Sequence, residues 1–523
     1  MLRVLALLVA IIAVLPVSAL SQDGAHIAPA LPPAGAKFRL VMDEHLQRVP
    51  YSGRVYVVLG RAARPEPRQQ MTNWFAPAQT LALDVSGIVP GAPIEVGGTV
   101  MSFPLPFAAI KPGTYWAQAV VRRAVDHPSP GQGPGDLYSK PVEVRFDPGA
   151  AADGSAIELR LTEQVGQDAF TESEDVRLVE VRSELLSAFH GRDYRVRASV
   201  CLPSGWADEP ERRWPSVVMI SGFGGTHRDI RPLSRVVADK DGKIHDCVLI
   251  CPDPTCGTGH SVFADSANNG PWGKMLIEEL LPEVDRRFRT GGPVTRHVSG
   301  ISSGGWSSLW LTVKYPEQFA ACWSHVPDPV DFRDFQRIDL YAQGANMYTD
   351  DAGARRPLAR NGGQTMIWYD DFCGMEQVLG RGGQIGSFEA VFGPRGADGQ
   401  PRPLFDRDTG AVDAATAKAW EPYDIRLVIE RGWRGKEGAD GLAEQLAGKL
   451  HVYAGEQDNF FLEGAARRLG ASLRALGSDA EVVVVEGMGH AFSPEGVAKM
   501  RAALRAANGA TEPQPDGSIP AGK

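Results

Sequence analysis

The chain has 523 residues, too many for one ordinary hydrophobic core, so two or more domains are expected. Its hydrophobic fraction of 43% and charged fraction of 22% are those of a globular protein, not of a disordered or fibrous chain. A net charge of −9 with no basic block argues against nucleic acid as a partner.

The first residues speak for export. Arg3 gives a positive start, residues 4–15 are uninterruptedly apolar, Pro16 breaks the run, and Val17, Ser18 and Ala19 are small enough for a cleavage site. Residues 1–21 therefore predict a secretory signal peptide, cleaved after Ala19 or after Ser21. The run is too short for a comfortable bilayer span, and no later stretch is long and apolar enough for one. The expectation is a periplasmic or extracellular protein without a membrane span in the mature chain. No cysteine lies near the cleavage site, which argues against a lipid anchor. Export permits disulfides: Cys251 and Cys256 flank a turn-rich loop and can close a small bridge, the alternative being buried thiols. The six cysteines lack zinc-site spacing, and neither a metal nor another cofactor is expected.

Residues 22–36, rich in Ala, Pro and Gly, predict a linker. From 37 to 150 the period is that of strands. Phe38, Leu40 and Met42 alternate with polar neighbours, residues 55–59 are a β-branched run, and Val142, Val144 and Phe146 alternate with Glu143, Arg145 and Asp147. Short strands between Pro/Gly turns predict a small all-β sandwich domain. Trp74 and Trp116 within it suit either its core or a carbohydrate-binding platform. Residues 151–189 read as a connecting segment.

From 190 to 507 the rhythm becomes strand, helix, strand, helix. Continuous apolar strands at 216–221, 247–251, 450–454 and 481–485, alternating with amphipathic helices, predict a mostly parallel sheet covered on both faces, an α/β fold. A helix over 274–289 carries Pro282 in its interior, so a kink or break is expected there. Residues 326–447 interrupt the rhythm with aromatics and turn residues and predict an insertion over the mouth of a site. The tail, 508–523, is expected to be disordered.

The chemistry is concentrated at Gly300-Ile301-Ser302-Ser303-Gly304, a G-x-S-x-G run between a strand and a helix. That is the nucleophile elbow, whose tight turn needs glycines around an exposed serine oxygen. A serine is a weak nucleophile without a base, and the base needs an orienting acid. His490, just after the strand 481–485, is the expected base. Asp458, just after 450–454, is the expected acid in preference to Glu456. The order Ser302, Asp458, His490 is that of α/β-hydrolases. The oxyanion hole is expected from the N–H of Ser303, at a helix start, and that of Phe223 in the Gly-rich loop 221–225, with Gly224 second. Asn269 and Trp272 read either as a helix cap or as pocket wall; Gly224, His325, Trp368 and Tyr369 are further pocket candidates.

With these residues in view the chain resembles the esterase D-like family of α/β-hydrolases over about 190–505. The likeness is carried by the loop 221–225, Pro271-Trp272-Gly273, Gly300-Ile301-Ser302-Ser303-Gly304-Gly305, Gly455-Glu456-Gln457-Asp458 and Gly489-His490. The resemblance implies an α/β-hydrolase fold, Ser302 as nucleophile, Asp458 and His490 as its partners, Phe223 as an oxyanion donor, and an ester substrate, carbohydrate-linked esters included. Two departures stand out: Ser221 where the family has histidine, and an insertion at 326–447 longer than the simple family fold carries. The reading is thus an exported serine esterase. An acyltransferase or peptidase with the same three residues, and a non-catalytic polysaccharide-binding protein, are the alternatives.

Overall fold

The computed structural model describes residues 36–150, 156–167, 169–435 and 441–511. The expected signal peptide, all but the last residue of the linker, and residues 512–523 of the tail lie outside the described residues. Residues 508–511 do not form part of a disordered tail: they close the helix Pro494–Thr511, and the Asn508 side chain bonds Asp246 and Arg212.

Nine strands make up the N-terminal domain. Period-two alternation gives its strands two apolar faces. Along Tyr51–Gly60, Val55, Val57 and Leu59 enter the domain's own core with Phe38 and Phe146, while Tyr56 and Val58 point the other way and pack on the second domain. The strands form the expected all-β domain around one core, hydrogen-bonded continuously rather than as two separate sheets. Gly113–Val121 pairs Val142–Phe146 along its first half and Leu137–Ser139 at its end, and this fork joins all nine into one sheet. The domain also runs past 150. Ile157–Gln164 lies parallel to Phe38–Met42, burying Leu159 and Leu161 between exposed Glu158 and Arg160.

The second domain is built on eight strands: β1 (Val176–Arg182), β2 (Arg195–Cys201), β3 (Ser216–Ile220), β4 (Val248–Pro252), β5 (Arg296–Ile301), β6 (Ala321–His325), β7 (Leu450–Gly455) and β8 (Glu481–Val485). Their order is β1-β2-β4-β3-β5-β6-β7-β8, with β2 antiparallel to both neighbours and β4 through β8 parallel. This is an α/β-hydrolase sheet, and it begins at 176 rather than 190. Strands β3 and β4 are buried throughout because helices cover both faces, which is why they read as unbroken apolar runs. The helix with Pro282 is irregular as expected. A π turn, Leu276–Leu280, precedes Leu281–Phe288, where the proline occupies the first turn and its missing N–H is no loss.

The insertion between β6 and β7 is a compact layer. It holds a hairpin (Pro357–Asn361 with Gln364–Trp368) and the helices Tyr369–Leu379, Gln384–Phe392, Ala414–Ala419 and Ile425–Gly432. Phe332, Phe335, Phe388, Phe392 and Trp420 pack ring on ring, and Phe392 reaches Trp306 on the helix after β5 at 5.1 Å. The N-terminal domain grips this layer. Arg54 donates to the carbonyls of Gln377 and Val378, Tyr56 Oη to that of Leu379 at 2.7 Å, and Arg122 to that of Arg381 at 2.7 Å. The first three are carbonyls at the C-terminal end of Tyr369–Leu379 that the helix itself leaves unbonded, and Arg381 follows just after it.

All six cysteines are unbridged and buried. Cys251 lies in the apolar cluster on one face of the sheet and Cys256 in the cluster on the other, so no bridge joins them. Among the described residues no helix is long and apolar enough to cross a membrane.

Candidate active site

Strand β5 ends at Ile301 and the helix Ser303–Lys314 begins two residues later, so the whole reversal falls on Ser302. Its backbone sits at φ 59° and ψ −123°, a region L-residues rarely occupy and which persists only where the surroundings over-determine it. Three backbone bonds do so. Ser302 N donates to His325 O at 3.0 Å, and Ser302 O accepts from Trp306 N at 2.9 Å and Asp328 N at 3.2 Å. The glycines let the helix press on the sheet. A methyl on Gly304 would lie 2.0 Å from the Ile220 carbonyl oxygen, and one on Gly300 would lie 2.2 Å from that of Gly304. Both obstacles are backbone and cannot step aside. Gly304→Ala is expected to destabilise the domain by about 3 kcal/mol, as overpacking at a rigid site does, measured as a lower urea midpoint at unchanged slope.

Asp458 follows β7 and is fully buried. Its Oδ2 lies 2.8 Å from His490 Nδ1, and its Oδ1 accepts from Phe460 N at 2.8 Å. Asn459 Oδ1 accepts from His490 N at 3.0 Å, which fixes the backbone as well as the ring. Glu456 is exposed and accepts from Gly487 N. The geometry therefore pairs the histidine with Asp458. Burial alone would push the His490 imidazole down, but the Asp458 carboxylate, its hydrogen bond and the nearby Asp328 hold it above the ordinary histidine value.

One residue at the site was not anticipated. Asp328, three residues past β6, is buried, and its Oδ1 lies 3.4 Å from Ser302 Oγ, while its Oδ2 accepts from Ser303 Oγ. Among the described residues this is the hydrogen bond of the Ser302 hydroxyl; none joins it to His490. Burial lifts the Asp328 carboxyl to about 6, against the pull of Ser303, His490 and Ser302, with Asp458 adding to the rise. The only sequence signal was an acid inside the apolar stretch Val326-Pro327-Asp328-Pro329-Val330. A carboxyl whose folded pKa is raised is stable neutral and loses stability as pH climbs from its unfolded value to its folded one. Asp328→Asn should therefore match the wild type best near pH 4 and gain on it by about 3 kcal/mol by pH 8, read from urea unfolding at both pH values.

The Gly-rich loop lies against the elbow: a methyl on Gly222 would come within 3.2 Å of Ser302 Cβ. Gly225 N donates to Gly222 O at 3.0 Å, closing a turn in which Gly224 takes φ +83°. The turn's bond leaves the amides of Phe223 and Gly224 free of it. Ser303 opens its helix, so its N–H has no partner within the helix. Ser221 Oγ is buried, and His260 Nε2 lies 3.2 Å from the Ser221 carbonyl oxygen.

The remaining pocket candidates are taken up by packing. Trp272 is 2% exposed against Tyr194 and Phe263 and donates from Nε1 to Asn269 O; Asn269 Oδ1 accepts from Thr258. They fasten the start of the helix from Trp272. His325 is buried between Tyr453 and Phe492 and accepts from Ser493 N; only its backbone carbonyl serves the elbow. Tyr369 is buried with its hydroxyl on Gln336, and Trp368 lies under the Arg355 guanidinium. One helical turn on, Phe372 joins a run of rings that leads to His490. Its ring meets Trp74 at 4.8 Å, Trp74 meets Phe460 at 6.1 Å, and Phe460 meets the His490 ring at 4.9 Å.

Residues 188–427 match the model of the family described as "Putative esterase". No curated protein matches the chain in sequence. Among solved structures, the chain is similar to an S-formylglutathione hydrolase from Agrobacterium tumefaciens (15% identity, 64% of this chain and 95% of that one, TM-score 0.37). It is also similar to a ferulic acid esterase (12%, 64% and 98%, 0.36) and to FphF, a fluorophosphonate-binding serine hydrolase of Staphylococcus aureus (12%, 64% and 98%, 0.36). Residues 188–427, under half of the chain, thus carry the likeness to the esterase family, and they lie on an α/β-hydrolase sheet.

Proposed function

We propose that this protein is an exported serine carboxylesterase that works through an acyl-enzyme, with Ser302 as nucleophile, His490 as base and Asp458 as the residue that orients the base. The observation that carries the reading is the strained Ser302 at the strand-to-helix turn beside a His490–Asp458 pair joined at 2.8 Å. With Nδ1 given to Asp458, the imidazole keeps Nε2 for the serine.

The Ser302 hydroxyl leaves Asp328, passes its proton to His490 Nε2, and Oγ bonds to the ester carbon. The carbonyl electrons move onto oxygen, which the N–H groups of Ser303 and Phe223 receive at the helix start. Collapse of that intermediate expels the alcohol, which takes the proton back from His490. Water then repeats the sequence, and the acid departs. Buried Asp458 holds the tautomer and steadies the imidazolium throughout.

Export is supported by the charged, apolar and small-residue pattern of residues 1–21. Incubating the purified chain with p-nitrophenyl esters and with peptide p-nitroanilides tests the chemistry. Ester hydrolysis with a burst equal to the enzyme concentration, and a single fluorophosphonate adduct, is the expected result. Anilide cleavage without ester turnover would instead make the protein a peptidase. Mature protein outside the cytoplasm, beginning at Leu20 or Gln22, is the expected outcome of cell fractionation and N-terminal sequencing.

A further inference from the structure

Trp74 belongs to the N-terminal domain, yet its ring packs against three rings of the esterase domain. Phe223 of the Gly-rich loop lies at 5.8 Å, Phe372 of the insertion at 4.8 Å, edge-on, and Phe460 at 6.1 Å, also edge-on. Two of those rings are one step from the chemistry: Phe223 stands in the loop against Ser302, and Phe460 N bonds Asp458 while its ring flanks His490. Phe372 lies in the first turn of the helix that the N-terminal domain grips at its other end.

The loop that presents Trp74 is pinned. Asn73 Oδ1 accepts from Phe75 N and Ala76 N, both at 3.1 Å, Ala78 N returns to Gln70 O, and Met71 is buried in the interdomain core. Trp74 itself is half-buried, and Phe75 beside it is 54% exposed, an apolar side chain left in water at the same lip. A side chain packed on partners from three separate segments, on a loop fixed at both ends, does not swing aside cheaply.

We infer that Trp74 forms the outer wall of the ester pocket, so that the N-terminal domain limits the size of the apolar group beside the scissile bond. The inference rests on Ser302 and His490 being the reacting pair, and it gives the N-terminal domain a part in substrate choice in place of a separate carbohydrate-binding role. The group it excludes is bulky and apolar, because every ring facing it is aromatic and uncharged.

The test compares wild type, Trp74→Ala and Trp74→Phe as full-length proteins. The substrates are p-nitrophenyl acetate, butyrate and octanoate, which vary the acyl side, and methyl against 1-naphthyl acetate, which vary the alcohol. Removing the indole should raise kcat/KM for the larger member relative to the smaller by tenfold or more in at least one series, since even one methylene in an apolar pocket is worth about tenfold. Trp74→Phe should keep the wild-type ratios within about threefold. Fluorophosphonate labelling of Ser302 should proceed in all three proteins. Ratios unchanged in both series, or an equal loss on all esters accompanied by a lower Tm, would overturn the inference and make Trp74 interdomain packing. Absence of Ser302 labelling in the wild type would instead overturn the reading of the reacting pair.

Discussion

Ser302→Ala is expected to lower kcat by about five orders of magnitude while the protein folds as before. The size follows from the proposed role of the hydroxyl: without it no acyl-enzyme would form, and what remains is the catalysis that an oxyanion hole and binding supply by themselves. The intact fold follows from the backbone. The bonds holding Ser302 at its positive φ run from its N–H and to its carbonyl, not to its side chain, so alanine keeps them. The hydroxyl's bond to Asp328 is long at 3.4 Å, and Ser303 continues to donate to that carboxyl. Circular dichroism and thermal unfolding should therefore superpose on the wild type, and intact-mass spectrometry with a fluorophosphonate should show the single adduct vanish. An adduct that persists in the alanine protein would place the nucleophile elsewhere.

The parts of this molecule that the sequence made legible are those governed by local pattern. Parallel strands buried on both faces read as apolar runs, and β3 and β4 fell where such runs stood. The elbow was legible because its glycines are dictated by backbone contacts a few residues away in the fold, at Ile220 and Gly304. Ile157–Gln164 also carried its period of two, but the Gly/Ala stretch before it looked like a domain boundary and concealed a strand that pairs with Phe38–Met42, more than a hundred residues earlier.

What was illegible depends on tertiary partners. Trp74 acquires its place only when the N-terminal domain docks, and no periodicity in its own loop points to Phe223, Phe372 or Phe460. Asp328 sits in an apolar stretch, where an acid gives no hint of which hydroxyl it will face. The misplaced pocket residues were large or polar side chains near expected strand ends, and the fold used them to fasten its own turns. Asn269 and Trp272 bond within one loop, and His325 fills the space between Tyr453 and Phe492.

Loss of the His490–Asp458 pair should be almost as damaging as loss of Ser302, and its signature lies in the pH profile. His490→Ala removes the base and should cost nearly what Ser302→Ala costs, because the group acts as a unit. Asp458→Asn should cost about 10⁴-fold, since an amide at that position favours the wrong tautomer. Glu456→Gln should leave the rate close to the wild type, because that carboxylate is exposed and bonds only Gly487 N. On the proposed mechanism the base is the neutral imidazole, and Asp458 with Asp328 raises His490 above the ordinary histidine value against its burial. Hence kcat/KM, which reports the free enzyme, should be low at pH 6 and rise through a single inflection above pH 6.5 to a plateau. Asp328→Asn removes one of the two negative neighbours and should move that inflection toward acid without abolishing activity. Asp458→Asn should move it further in the same direction on whatever rate survives, because burial then acts with less opposition. A profile from p-nitrophenyl acetate hydrolysis between pH 5 and 9 decides the matter. An inflection that stays in place when both carboxylates are changed singly would mean that another group is the base.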